Sequence, residues 1–126
     1  PGNSIGALAV GAATFEDGSA LEIEVSPSNA DLLAVEGNLD LSSLLDTLVL
    51  TGSTVYGREY VIATYTGNLI GEFNTIDASG LAIAGPGSVH IDYGTGTNSQ
   101  IMLLIPEPAS LSLLGLGALV MFRRRR

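Results

Sequence analysis

Hydrophobic and polar residues alternate along several short segments of the chain. From Leu21 to Val25, three aliphatic side chains alternate with Glu22 and Glu24, so that the aliphatic residues share one face of an extended segment. This period of two predicts half-buried β-strands. By the same criterion we expect strands at 5–10, 30–35, 46–51, 59–66, 88–93 and 100–105.

Clusters of glycine, proline, asparagine, aspartate and serine separate these segments. Such clusters are typical of turns, and they occur at 17–19, 26–29, 36–38, 51–53, 66–68 and 84–87. The leucine spacing of 39–50 is compatible with a helix, but its neighbours favour a pair of strands.

The predicted strands recur without long helices between them, which indicates an all-β fold. Two architectures fit: the end of a parallel β-helix (a solenoid), in which stacked coils bury a ladder of aliphatic side chains, or a β-sandwich. We assign residues 1–105 to one β-rich body and expect it to be a fragment of a longer chain. The chain contains no cysteine, which excludes disulfides, a thiol nucleophile and thiolate metal ligands.

The C-terminal residues 106–126 have a different pattern from the body. Pro106, Glu107 and Pro108 precede fourteen uncharged residues, and the chain ends in four arginines. A helix over 109–122 would span about 21 Å, which is short for a bilayer core of about 30 Å. Basic residues after an apolar run favour the cytoplasmic side of a membrane. The predicted membrane anchor comprises Ala109, Leu111, Leu113, Leu114, Leu116, Leu119, Val120 and Phe122, and the basic stop comprises Arg123, Arg124, Arg125 and Arg126.

These three parts, in this order at the C-terminus, resemble the PEP-CTERM sorting signal of bacteria. The resemblance implies that the protein is exported, is held transiently in the inner membrane by its tail, and then reaches the cell surface or the extracellular space. It implies recognition of Pro106, Glu107 and Pro108 by an exosortase-type membrane protease, with removal of the tail nearby. It also implies a host that makes extracellular polysaccharide, biofilm or floc.

The body resembles a second family, the β-helical passenger repeats of autotransporters. The segment 1–10 begins with the order Pro-Gly-Asn-Ser-Ile-Gly-x-Leu, and five later segments follow that family's order, namely 19–25, 31–37, 47–51, 59–63 and 71–77. The resemblance implies a right-handed parallel β-helix that serves as a surface stalk or adhesin. The tail stands where that family has an outer-membrane barrel, so exosortase sorting would replace autotransport.

The charge of the body argues against a nucleic-acid partner. Twelve of the thirteen acidic residues precede Pro106, whereas Arg58 is the only lysine or arginine there, which gives the body a net charge of −11. Phosphates would be repelled by this charge. Because the carboxylates are scattered along the predicted strands, we interpret them as a solvated face.

No group of residues predicts catalysis, a cofactor or a metal site. The segment 77–80 has an Asp-x-Ser-Gly order, but no matching second carboxylate is present for aspartic-protease chemistry, so we expect a polar turn. His90 shares a strand face with Ser88 and Asp92, which predicts a solvated edge and not a catalytic triad. The chain also lacks the loop sequences of common calcium sites and the histidines of a zinc site.

The sequence therefore predicts a non-enzymatic structural or adhesive surface protein with an exosortase-sorted tail and extracellular polysaccharide as a further partner. Two alternatives stay open. The chain could be the non-catalytic end of a polysaccharide-active β-helix enzyme, or a carbohydrate-binding β module in which tyrosines such as Tyr56, Tyr60, Tyr65 and Tyr93 stack on sugars.

Overall fold

A computed structural model describes residues 5–83 and 89–106, and within these residues all regular secondary structure is β. The all-β prediction is confirmed. The predicted apolar helix at 109–122 lies outside the described residues. The strands are β1 (Ala7–Val10), β2 (Ala13–Thr14), β3 (Ala20–Val25), β4 (Leu32–Val35), β5 (Leu39–Leu41), β6 (Thr47–Thr54), β7 (Arg58–Gly71), β8 (Thr75–Ile83), β9 (His90–Asp92) and β10 (Thr97–Ile105).

The first eight strands form three rows of parallel pairs. In the first row β1 pairs with β4, and β4 pairs with the first half of β7. In the second row β2 pairs with β5, and β5 pairs with the second half of β7; the third row is β3, β6 and β8. Each pairing joins a residue to one roughly 25 to 30 positions later, as in Ala7 with Leu32. Successive passes of the chain are therefore laid against one another in register.

Strand β10 breaks this parallel pattern. It runs antiparallel to β7, from Thr97 opposite Asn68 to Ile105 opposite Arg58. On its other side it pairs antiparallel with β9, through Leu103 opposite Ile91. The sheet order is β1-β4-β7-β10-β9, so β10 is an interior strand whose backbone has a neighbour on both sides.

The core is a set of aliphatic ladders that follow the register. Ile23 of β3 lies opposite Leu50 of β6, and Leu33 of β4 lies opposite Ala63 of β7, with all four buried. Full burial of one such large side chain contributes about 1.5 to 3 kcal/mol. The core residues are Ile23, Val25, Leu33, Val35, Leu39, Leu41, Leu48, Leu50, Tyr60, Ile62, Ala63, Tyr65, Phe73, Leu81, Ile101, Leu103 and Ile105.

Two of the segments predicted to be turns between strands lie inside strands instead. Residues 51–53 lie inside β6, and residues 66–68 lie inside β7, where this long strand passes from its pairing with β4 to its pairing with β5. The glycines there permit close approach between neighbouring passes: a Cβ on Gly52 would overlap the carbonyl oxygen of Val25, and one on Gly67 would overlap Asn38.

The structure also tests the predictions for two further segments. Residues 39–50 contain β5, a turn and the start of β6, so the two strands are right and the helix is wrong, although each strand pairs with other strands. The segment 77–80 was predicted as a polar turn, but it lies within β8, because β6 supplies a parallel partner for Asp77 and Gly80.

Candidate functional site

The predicted sorting signal begins where the folded body ends. Ile105, the last residue of β10, is 1% exposed, and its carbonyl oxygen accepts a hydrogen bond from the N–H of Gly57 at 2.7 Å. Pro106 follows immediately, is exposed, and lies outside the strand. Proline has no N–H to continue a ladder, which accounts for the end of β10 at this point.

The other predicted signal residues lie outside the described residues. These are Glu107 and Pro108, the anchor from Ala109 to Phe122, and the arginines from Arg123 to Arg126. Their roles therefore stay predictions. Where the structure describes the chain, no helix has the length and hydrophobicity needed to cross a membrane.

His90 and Asp92 lie on the exposed face of β9, as the alternation predicted. Ile91, between them, is partly buried and packs against the core. Within the described part, β9 pairs with β10 alone, so it forms a sheet edge. The carboxylate of Asp92 accepts the N–H of Gly94 at 3.0 Å, which shapes the turn that leads into β10. Ser88 lies outside the described residues.

Asp31 is buried, contrary to the prediction that the acidic residues form a solvated face. It is 6% exposed. Its Oδ1 accepts the N–H of Gly6 at 2.7 Å, and its Oδ2 accepts the N–H of Glu24 at 2.8 Å. Asp31 thus links the segment before β1, the end of β3 and the start of β4. The sequence shows only that this aspartate lies near the start of a predicted strand, next to a turn cluster.

Asp46 is a second acidic residue that is buried although the sequence predicts a solvated one. It is 0% exposed, and its Oδ1 accepts the N–H of Asn74 at 2.8 Å. Its Oδ2 is buried and has no hydrogen-bond partner. The main-chain oxygen of Asp46 also accepts the N–H of Thr75 at 3.1 Å. Both contacts fix the corner before β6 against the corner before β8.

Tyr93 lies close to this corner. Burial raises the pKa of its hydroxyl above the ordinary value of 10.0, and the carboxylates of Glu72 and Asp46 act in the same direction. The N–H of Phe73, which donates to the hydroxyl oxygen at 3.3 Å, opposes the rise in pKa. The neutral hydroxyl is therefore the favoured form in the folded protein.

Two of the four tyrosines considered for a carbohydrate platform are buried. Tyr60 and Tyr65 are 5% and 1% exposed, so their rings belong to the core. The hydroxyl of Tyr60 lies 2.6 Å from Thr54 Oγ1 and donates to the carbonyl oxygen of Pro27 at 3.1 Å. The hydroxyl of Tyr65 donates to the carbonyl oxygen of Tyr93 at 2.8 Å.

A cleft of about 370 Å³ lies between residues of β1, β3 and β4. Its lining includes Leu8, Leu21, Leu33 and Asp31. Both carboxylate oxygens of Asp31 already accept hydrogen bonds from backbone N–H groups, so this side chain has a structural role. Among the described residues no three histidine, aspartate or glutamate side chains are grouped to hold a metal ion.

Comparison with known proteins identifies the C-terminal segment. Residues 104–126 match the PEP-CTERM protein-sorting motif. No curated protein and no solved structure matches the chain. The resemblance of residues 1–105 to autotransporter passenger repeats therefore has no support from these comparisons and stays a prediction.

The PEP-CTERM match indicates how the protein is sorted. It implies export, sorting during transit through the membrane, and processing by an exosortase membrane protein. The PEP-CTERM match also begins two residues before Pro106, so Leu104 and Ile105 belong both to the motif and to β10.

Proposed function

We propose that this protein is a non-enzymatic structural or adhesive component of the cell surface or extracellular matrix. An exosortase recognises Pro106, Glu107 and Pro108 and removes the tail near them. The observation that carries the proposal is the PEP-CTERM match at residues 104–126, directly after a folded all-β body.

The use of polar groups inside the body supports a structural role. Asp31 has both carboxylate oxygens engaged with backbone N–H groups, and the hydroxyls of Tyr60 and Tyr65 bond to backbone oxygens. These carboxylate and hydroxyl groups therefore connect neighbouring segments of the backbone. On the exposed surface, acidic side chains give a strongly negative body that stays soluble outside the cell.

The architecture that we propose for the body is the end of a parallel β-helix. Three rows of parallel pairs with repeated aliphatic ladders support it, as does the antiparallel pair β9 and β10 at one side. In this proposal further coils add to the free edge of β1, where Leu8 is 54% exposed. A long stalk of this kind would present its surface to extracellular polysaccharide.

The decisive experiment is the intact mass of the protein recovered from its native host, with mapping of its C-terminal peptide. We expect a mature end near Pro106 to Pro108 and no peptide that contains Arg126. A variant with alanine at Pro106, Glu107 and Pro108 should keep the tail and accumulate in the inner membrane. Pro27→Ala, which alters an exposed proline far along the chain, is the control and should be processed normally.

An intact Arg126 on wild-type protein in the cytoplasm would refute the sorting proposal. Normal processing of the triple-alanine variant would refute the assigned recognition residues while leaving sorting itself in place.

A further inference from the structure

The PEP-CTERM segment overlaps a strand in the interior of a sheet. Leu104 pairs with Glu59 on β7 and with His90 on β9, and Ile105 pairs with Arg58 on β7. Ile105 is buried, and its carbonyl oxygen is bonded to Gly57. In the folded protein the first two residues of the motif are therefore held in the sheet.

The spacer between this strand and the apolar run is very short. Only Pro106, Glu107 and Pro108 separate Ile105 from Ala109. Four peptide units span at most about 14 Å when fully extended. The headgroup layer on each side of a bilayer is about 5 to 8 Å thick. With the apolar run in the hydrocarbon, the end of β10 lies close to the membrane surface.

A membrane protease needs the backbone on both sides of the bond that it cleaves. Extended substrate segments bind through their main-chain hydrogen-bonding groups. On the body side of Pro106, Ile105 is paired with β7, and Leu104 is paired with both β7 and β9. Binding of more than the three spacer residues therefore requires the end of β10 to detach. Such local openings occur at the ends of elements, and proteolysis follows the population of the open form.

The geometry points to a gate on processing: Leu104 and Ile105 detach from β7 before the exosortase acts, so the docked end of β10 slows removal of the tail. This inference rests on the proposed function and concerns the regulation of the same site. One consequence is an order of events. A chain whose last strand has not yet docked is the better substrate, and completion of the sheet competes with processing.

The first test lengthens the spacer in the full chain. Eight residues of glycine and serine are inserted between Ile105 and Pro106, and loss of the tail is followed over time in membranes that contain the host's exosortase. The spacer variant should be processed at least about tenfold faster than wild type, because only a small fraction of the wild-type body is open. The matched control carries the same insertion between the exposed residues Thr95 and Gly96 and should keep the wild-type rate.

The second test fixes the end of β10. Since the chain has no cysteine, the pair Glu59→Cys and Leu104→Cys introduces a single disulfide between directly opposite residues. Oxidised, this variant should lose its tail at least about tenfold more slowly than wild type, and a reductant should restore the rate. The control pair Thr64→Cys and Gln100→Cys joins the same two strands farther from Pro106 and should leave the rate unchanged.

Three results would separate the possibilities. Faster processing with the spacer, together with arrest by the 59–104 disulfide alone, would establish the gate. Equal rates for wild type, spacer and disulfide variants would overturn the gate while leaving exosortase sorting in place. If neither wild type nor the spacer variant ever lost its tail, the proposed function would fail and the gate with it.

Discussion

At the scale of single residues, Asp31 joins three segments through its two carboxylate oxygens. Asp31→Ala leaves the N–H groups of Gly6 and Glu24 without their partner, and we expect the free energy of unfolding to fall by about 2 to 4 kcal/mol. Asp31→Asn retains one acceptor and should lose about half as much. Urea unfolding followed by circular dichroism measures both.

The control for Asp31 is Asp77→Ala. The Asp77 carboxylate accepts hydrogen bonds from the N–H and the hydroxyl of Ser79 at an exposed position of β8, so its removal should leave the unfolding midpoint nearly unchanged. A loss at Asp77 equal to that at Asp31 would contradict the linking role of Asp31.

Tyr93 should make the stability of the fold depend on pH in the alkaline range. Burial, reinforced by Glu72 and Asp46, raises the pKa of the folded-state hydroxyl above 10.0. A folded-state pKa above the unfolded one contributes stability that is complete below about pH 10 and is lost as the pH rises through the folded value. We therefore expect urea midpoints to fall above about pH 10, and to fall less steeply in Tyr93→Phe. Identical pH slopes for the two proteins would disprove this assignment.

Gly52 tests how closely β6 and β3 approach each other. Its φ is +100°, and a Cβ there would overlap the carbonyl oxygen of Val25. Gly52→Ala combines backbone strain of about 1 to 2 kcal/mol with displacement of β3, so we expect a loss of more than about 3 kcal/mol. Gly96 also has positive φ, +76°, but faces open space, so Gly96→Ala should show only the strain. Comparable thermal midpoints for the two variants would contradict the close approach.

At the scale of elements, substitutions on the two faces of β10 should differ strongly in how much unfolding free energy they remove. Leu103 is fully buried, whereas its neighbour Leu104 lies on the opposite face and is only partly buried. Leu103→Ala should cost about 2 to 5 kcal/mol, because it leaves a cavity in the core. Leu104→Ala removes the same atoms and should cost less than about 1.5 kcal/mol by equilibrium unfolding. Similar losses at the two positions would show that the strand is not packed by one face.

Alternation along the chain predicted the strands well where one face is buried and the other is wet. Segments around Val25, Leu50 and Ile105 were placed within a few residues for this reason. The same rule failed for β8, because its polar residues are held in a strand by pairing with β6, and sequence alone does not reveal a partner.

Register and long-range contacts were the other features that the sequence could not supply. Gly52 and Gly67 lie in segments with the composition of turns, yet they are points of close contact inside long strands. The burial of Asp31 and Asp46 likewise depends on backbone N–H groups from distant segments. For the site, the order of Pro106, Glu107 and Pro108 before an apolar run was sufficient to predict the sorting motif, whereas its overlap with β10 required the fold.

At the scale of the whole molecule, charge divides the chain in two. The body carries −11, and residues 106–126 carry +3 from four arginines and Glu107. The positive-inside rule predicts that the four arginines stay on the cytoplasmic side during sorting, with the acidic body on the other side of the membrane. This division follows the same boundary as the fold, since β10 ends at Ile105 and the spacer starts at Pro106.

The coincidence of these boundaries predicts what processing does to stability. Chain 1–107 keeps every described contact of the body, so its urea midpoint should equal that of the full chain in the same mild detergent. Chain 1–99 loses the buried side chains of Ile101, Leu103 and Ile105 and leaves β7 and β9 without their shared neighbour. Its loss should exceed about 5 kcal/mol, enough to abolish cooperative unfolding of a domain this small. A lower midpoint for chain 1–107 would mean that the tail stabilises the body, and that its removal cannot be the routine last step in maturation of a stable surface protein.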